Sequence, residues 1–204
     1  MAIVVIGGQS RSVGKTSVVA GLIARLPELH WTAFKITQYG HGFCTADGQP
    51  CQCQTADSCV SVTAERDPST GTDSARFLAA GAVRSLWVRT RIGMLAEAMP
   101  RIQEELARSR NAILESNSIL EYLEPDLYLT VLDPAVPDFK DSARRLLHRT
   151  HAVLWSSREG QLTPAPESIC ASLIGKPQFA IAPPSYISDE FAAFVRGRLE
   201  NLGR

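Results

Sequence analysis

The apolar run Ala2-Ile3-Val4-Val5-Ile6 leads directly into Gly7-Gly8-Gln9-Ser10-Arg11-Ser12-Val13-Gly14-Lys15-Thr16. Ser17-Val18-Val19-Ala20-Gly21-Leu22-Ile23 then continues with helical character. A buried strand, a glycine-bearing loop and a helix, in that order, form the context a phosphate-binding loop needs. Gly14 admits a backbone conformation that a side chain would block. The loop N–H groups and the helix N-terminus are then expected to face phosphates. Lys15 is placed to reach β- and γ-phosphate oxygens, and the Thr16 hydroxyl to ligate Mg²⁺. The spacing departs from the usual form: the position five residues before Gly14 is Gln9, and the nearest glycine is Gly8. The candidate contacts to a nucleoside triphosphate are Gly8, Gln9, Ser10, Arg11, Ser12, Val13, Gly14, Lys15, Thr16 and Ser17.

Downstream, strand-like apolar runs alternate with helix-like stretches. Strands are expected at residues 31–37, 85–89, 112–115, 127–133, 152–155 and 179–182. Residues 73–80 read as a short helix closed by Gly81. Residues 94–108 carry Leu95, Met99, Ile102 and Leu106 at three- and four-residue steps, the period of an amphipathic helix. Residues 142–148 read as helical, and Ser188 is the expected N-cap of a C-terminal helix. This alternation predicts a parallel sheet with helices on both faces. In such a sheet ligands sit beyond the carboxyl ends of the strands. That rule singles out Lys35, Glu115 and Asp133 beside the loop. Lys35 is either a ligand contact or a solvated strand-end lysine, and Glu115 either a Mg²⁺ ligand or a cap. Asp73 is read as a helix N-terminal residue rather than a metal ligand, and Asp133, before Pro134, as a turn former.

The 204 residues are read as one domain, 1–204, with 38–71 as a cysteine-containing loop insertion. Lys+Arg and Asp+Glu both number 21, so bulk charge gives no reason to expect nucleic acid or an anionic membrane as partner. No stretch resembles a signal peptide or a membrane span, so cytoplasmic residence is expected and disulfides are not.

Three stretches together carry a family resemblance: residues 7–17, Phe34-Lys35-Ile36-Thr37, and residues 72–82 beginning Thr72-Asp73-Ser74-Ala75-Arg76. They resemble the molybdopterin-guanine dinucleotide biosynthesis protein B family, although Glu115-Ser116-Asn117 stands where that family has Glu-Gly. The five-residue gap between Gly8 and Gly14, with Phe34-Lys35, Gln38 and Glu115, is also similar to dethiobiotin synthetase. Both likenesses imply an α/β, three-layer P-loop NTPase fold with a mostly parallel central sheet of about seven strands flanked by helices. They further imply phosphate contact by Gly14, Lys15 and Thr16, with Ser17 near the α-phosphate. Lys35 is implied at the γ-phosphate or a substrate anion, and Glu115 near Mg²⁺, giving Lys15, Lys35 and Glu115 as the candidate catalytic set. The expected cofactors are ATP or GTP with Mg²⁺. Residues 155–159 do not fit the Asn/Thr-Lys-x-Asp segment of guanine-specific proteins, which favours adenine or relaxed selectivity.

Cys44, Cys51, Cys53 and Cys59 sit with His41 in one polar stretch. Thiolate and imidazole satisfy the tetrahedral preference of zinc, so these five residues are a candidate Zn²⁺ site, against a flexible loop with incidental thiols. Cys170 is read as a core residue. The leading functional expectation is a slow, Mg²⁺-dependent NTPase that serves cofactor biosynthesis with a partner protein, as a homodimer by resemblance. The alternatives are an ATP-dependent synthetase or kinase, and a nucleotide-gated metal carrier.

Overall fold

The computed structural model describes residues 1–40, 60–157, 169 and 171–203. Its strands are β1 (Ile3–Gly8), β2 (Trp31–Tyr39), β3 (Val60–Ala64), β4 (Arg84–Arg91), β5 (Asn111–Glu115), β6 (Leu127–Leu132), β7 (Ala152–Ser156) and β8 (Gln178–Ile181). The helices are α1 (Lys15–Arg25), α2 (Asp73–Ala79), α3 (Leu95–Ala107), α4 (Asp141–Leu146) and α5 (Asp189–Glu200). All eight strands form one sheet in the order β3-β4-β2-β5-β1-β6-β7-β8. Every neighbouring pair is parallel except β3 with β4.

Strand alternation divides the core into two layers. Val4 and Ile6 of β1 pack with Val18, Val19, Leu22 and Ile23 of α1 and with Phe191 and Val195 of α5. Val5 points to the other face, where Met99, Ile102 and Leu106 of α3 cover it. β1 is therefore apolar on both faces and lies centrally, between β5 and β6. All four apolar positions expected along α3 are buried.

Local signals fix the ends of several elements. The Ser188 side chain accepts the Phe191 N–H at 3.1 Å and opens α5, as its position in the sequence predicts. Thr72 does the same for α2, accepting the Ala75 N–H at 3.1 Å. Gly81 follows α2 at φ +102°, the left-handed turn expected of it.

β3 corrects the sequence reading. It lies inside the segment 38–71 assigned to a loop, and it raises the sheet from about seven strands to eight. Val60-Ser61-Val62-Thr63-Ala64 alternates apolar and polar residues as a half-covered edge strand does. The surrounding polar composition hid that alternation. Among the described residues no helix is long and apolar enough to cross a membrane.

Phe191 is fully buried and its ring lies 5.1 Å from that of Phe179. Phe191→Ala is expected to lower the unfolding free energy by roughly 3–5 kcal/mol. Ser188→Ala, which removes only the cap, should cost about 1 kcal/mol. Urea unfolding of the two variants measures both, and equal losses would refute this division of the packing.

Candidate functional site

A cavity of about 780 Å³ opens at the carboxyl ends of β1, β2 and β5, above the start of α1. Its loop wall is Gly8, Arg11, Ser12, Gly14, Lys15, Thr16 and Ser17. Gly14 takes φ +101°, caps α1, and accepts the Val18 N–H through its carbonyl at 3.0 Å. The first turn of α1 holds no acidic residue of its own, which leaves the positive end of the helix dipole uncompensated from within the helix.

Gln9, Ser10 and Val13 do not line the cavity; they brace the loop. The Gln9 amide donates to the carbonyls of Val136 at 2.7 Å and Asp133 at 3.0 Å, and its oxygen accepts the Asp133 N–H at 2.7 Å. Ser10 donates to Asp138 at 2.5 Å, and Val13 is buried in the core. The departure from the usual glycine spacing thus has a structural reason. The side chain at position 9 ties the loop to the segment after β6, and the close approach falls to Gly8. A Cβ on Gly8 would stand 2.9 Å from the Val131 carbonyl and 2.9 Å from the Lys15 stem. Asn117, which the sequence reading passed over, grips Gly8 from the other side. It accepts the Gly8 N–H at 2.9 Å and donates to the Gly8 carbonyl at 2.8 Å.

The register of the parallel strands sets Lys35 beside Glu115, and Glu115 beside Ile6. Glu115 is 3% exposed, so its charge needs partners. Thr16 donates to one oxygen at 2.8 Å and Lys35 donates to the other at 2.6 Å. Lys35 also pairs with Asp73 at 2.6 Å and reaches the Thr16 hydroxyl at 3.4 Å. Burial by itself would lower the Lys35 ammonium, but Glu115 and Asp73 hold its pKa above the ordinary lysine value. Lys15 sits differently, donating to the Ser10 carbonyl. Burial pulls its pKa down to about 8, with Glu115 opposing.

Asp73 does begin α2, as expected from sequence, but it also serves the site through Lys35. Asp133 stays outside it: its carboxylate accepts the Ala135 N–H at 3.0 Å and shapes the turn. Thr16, Glu115 and Asp73 offer an all-oxygen donor set, which suits a hard cation that takes one or two carboxylates together with phosphate oxygens. Among the described residues there is no group of three or more His, Cys, Asp or Glu that could hold a metal ion. His41, Cys44, Cys51, Cys53 and Cys59, proposed above for zinc, lie outside the described residues, as does Cys170.

No protein-family model matches the chain, and no curated protein matches it. Solved structures do. LpxK from Aquifex aeolicus, in complex with ATP, superposes with TM-score 0.54 at 16% identity, over 88% of this chain and 53% of LpxK. The chain therefore spans about half the length of that protein. HypB from Helicobacter pylori, in complex with nickel, gives 0.48 at 16% identity over 97% and 87% of the two chains. A MobB homologue from Bacillus stearothermophilus gives 0.44 at 13% identity over 98% and 99%.

The chain has the P-loop NTPase fold. Within its P-loop cavity, cations outnumber acids: Arg11, Lys15, Lys35, Arg76, Lys140 and Arg145 against Asp73, Glu115 and Glu121. Lys140 arrives with the segment clamped by Gln9, whose carbonyl accepts the Lys140 N–H at 2.9 Å. Desolvation at the wall and the nearby Arg11 hold its ammonium below the usual lysine range. Arg76 donates to the Ser17 hydroxyl at 3.1 Å. The Tyr186 ring leans on the P-loop at Gly14, where a Cβ would come within 3.0 Å of it.

Asn117→Ala leaves both backbone groups of Gly8 without their side-chain partner. A loss of about 1–3 kcal/mol in unfolding free energy is expected, read from the urea midpoint. An unchanged midpoint would show that the grip on Gly8 is not structural.

Proposed function

We propose that the chain binds a Mg²⁺-complexed nucleoside triphosphate in this cavity and turns it over slowly, as an accessory protein of molybdopterin-type cofactor assembly. The observation that carries the nucleotide reading is the local excess of positive charge around Gly14-Lys15-Thr16, in a chain whose formal net charge is zero. The pathway rests on the likeness of residues 7–17, 34–37 and 72–82 to the molybdopterin-guanine dinucleotide biosynthesis protein B family. A homodimer and a cofactor-biosynthesis partner belong to the same reading.

In this reading the loop amides and the N-terminus of α1 receive the phosphates. Lys15 leaves the Ser10 carbonyl for the β- and γ-oxygens, and Arg76 stands over the α-phosphate end beside Ser17. Mg²⁺, when bound, neutralises charge on the phosphoryl oxygens; Thr16 and Glu115 would hold it. Tyr186 offers the base a ring at the loop edge. β7 ends at Ser156 and Ser157 follows it, without a guanine-reading aspartate at those two positions, which favours adenine or relaxed selectivity.

Slow turnover follows from how the acids are engaged. Asp73 and Glu115 are held by Lys35, or by Mg²⁺ when it is bound, and Glu121 lies 3.5 Å from Arg145, so each carboxylate is engaged by a cation rather than poised to take a proton from water. A synthetase or kinase activity is the second reading. It is favoured by the part of the wall that carries Gln38, Ser118, Glu121, Ser142 and Arg145, which gives room for a polar co-substrate beside the phosphates.

Lys15→Ala is expected to weaken Mg·ATP binding about 10–150-fold, the equivalent of roughly 1.5–3 kcal/mol for charged hydrogen bonds. Titration calorimetry checks this, and unchanged affinity would refute the reading. The pH dependence has a definite sign. The free-state pKa of Lys15 is about 8, and an adjacent polyphosphate raises it. Binding therefore takes up no proton at Lys15 well below pH 8, and close to one above it, so affinity falls as pH rises past that value. Calorimetry at pH 9 in buffers of different ionisation enthalpy measures the uptake; none at pH 9 would contradict the assignment.

A further inference from the structure

Lys35 does more than line the cavity. Its ammonium lies 2.6 Å from Glu115 Oε1, 2.6 Å from Asp73 Oδ2 and 3.4 Å from Thr16 Oγ1. Three oxygens, brought by β5, α2 and α1, converge on one positive centre, and all three are of the kind a hard divalent ion takes. We propose that the Lys35 ammonium holds the divalent-cation position in the nucleotide-free protein, so that Mg²⁺ enters only together with the triphosphate and meets Asp73 as well as Thr16 and Glu115. The proposal rests on the nucleotide reading above and adds an order of events to it.

The argument is electrostatic. Two carboxylates facing one point repel, and the Glu115 side chain, 4% exposed, has almost no water to screen it. A cation is needed there whether or not a ligand is bound. In the free protein a covalently tethered one is always at hand, and a metal ion from solution would have to displace it. A triphosphate changes this balance, because its oxygens give the ammonium another anionic partner within reach of a flexible four-carbon stem. Lys35 can then swing toward the phosphates as the ion takes its place.

A purely structural ion pair explains the arrangement less well. The Thr16 hydroxyl belongs to the loop-to-helix junction, yet it turns to the same centre. The Asp73 side chain is 40% exposed at the rim, where a pair has little packing to support but where an arriving ion would first be met.

The test is Mn²⁺ binding by the nucleotide-free full chain, with free Mn²⁺ read from its paramagnetic resonance signal. Lys35→Met is expected to bind one Mn²⁺ per chain roughly ten-fold or more tightly than the unmodified protein, since one positive charge leaves the site. Lys35→Arg keeps the charge and should remain as closed to Mn²⁺ as the unmodified protein. Lys35→Met leaves the Glu115 and Asp73 carboxylates without the ammonium between them and can fail to fold, so a double variant with the net charge of the unmodified protein runs beside it. Lys35→Met with Asp73→Asn must bind Mn²⁺ more tightly than Asp73→Asn alone, and less tightly than Lys35→Met if that variant folds. Equal Mn²⁺ affinity with and without the ammonium, in either comparison, overturns the proposal. Mg·ATP binding to the unmodified chain is measured in the same series. Its absence would sink the proposed function, whereas nucleotide binding with unchanged Mn²⁺ affinity in the variants sinks only this inference.

Discussion

A carboxylate buried at the end of a central parallel strand has to be answered by positive charge or by hydrogen-bond donors, and Glu115 imposes that requirement on everything around it. The answer comes from two directions, Thr16 at the start of α1 and Lys35 at the neighbouring strand position, and Lys35 is in turn paired with Asp73 at the start of α2. Together they join the phosphate loop, β2, β5 and α2. The same set of oxygens and one ammonium gives the cavity its chemistry, so structural necessity and ligand chemistry coincide at this point.

How much of this was legible in the chain depended on the range of the interactions. The β1–loop–α1 unit is contiguous, and its apolar run and Gly-Lys-Thr were read directly. The four buried positions of α3 follow from periodicity alone, and Ser188 and Gly81 act through local backbone geometry. β3 was missed because its five residues alternate within a polar, cysteine-bearing stretch whose composition outweighs them. The Lys35–Asp73 pair, the grip of Asn117 on Gly8 and the arrival of Lys140 are all long-range. No spacing rule announces them. Gln9 was counted as a ligand contact because of where it falls in the motif, whereas its amide finds partners beyond β6 that the sequence gives no means of foreseeing.

Charge gives the same lesson in another form. Equal numbers of acidic and basic residues describe the whole chain, but folding sorts them, and the cavity keeps six cations against three acids. Bulk neutrality gives no reason to expect a long-range preference for polyanions, and it says nothing about a short, densely charged ligand held within one pocket.

The bracing of the loop by Gln9 and Asn117 has a thermodynamic consequence. Their hydrogen bonds hold the Gly8 end of the loop in a single shape before any ligand arrives. The entropy lost in ordering those residues is then charged to folding, and does not reduce the affinity of the encounter. Association should resemble the docking of a solute on a rigid cradle, with its heat signature set by desolvation and side-chain motion rather than by backbone rearrangement.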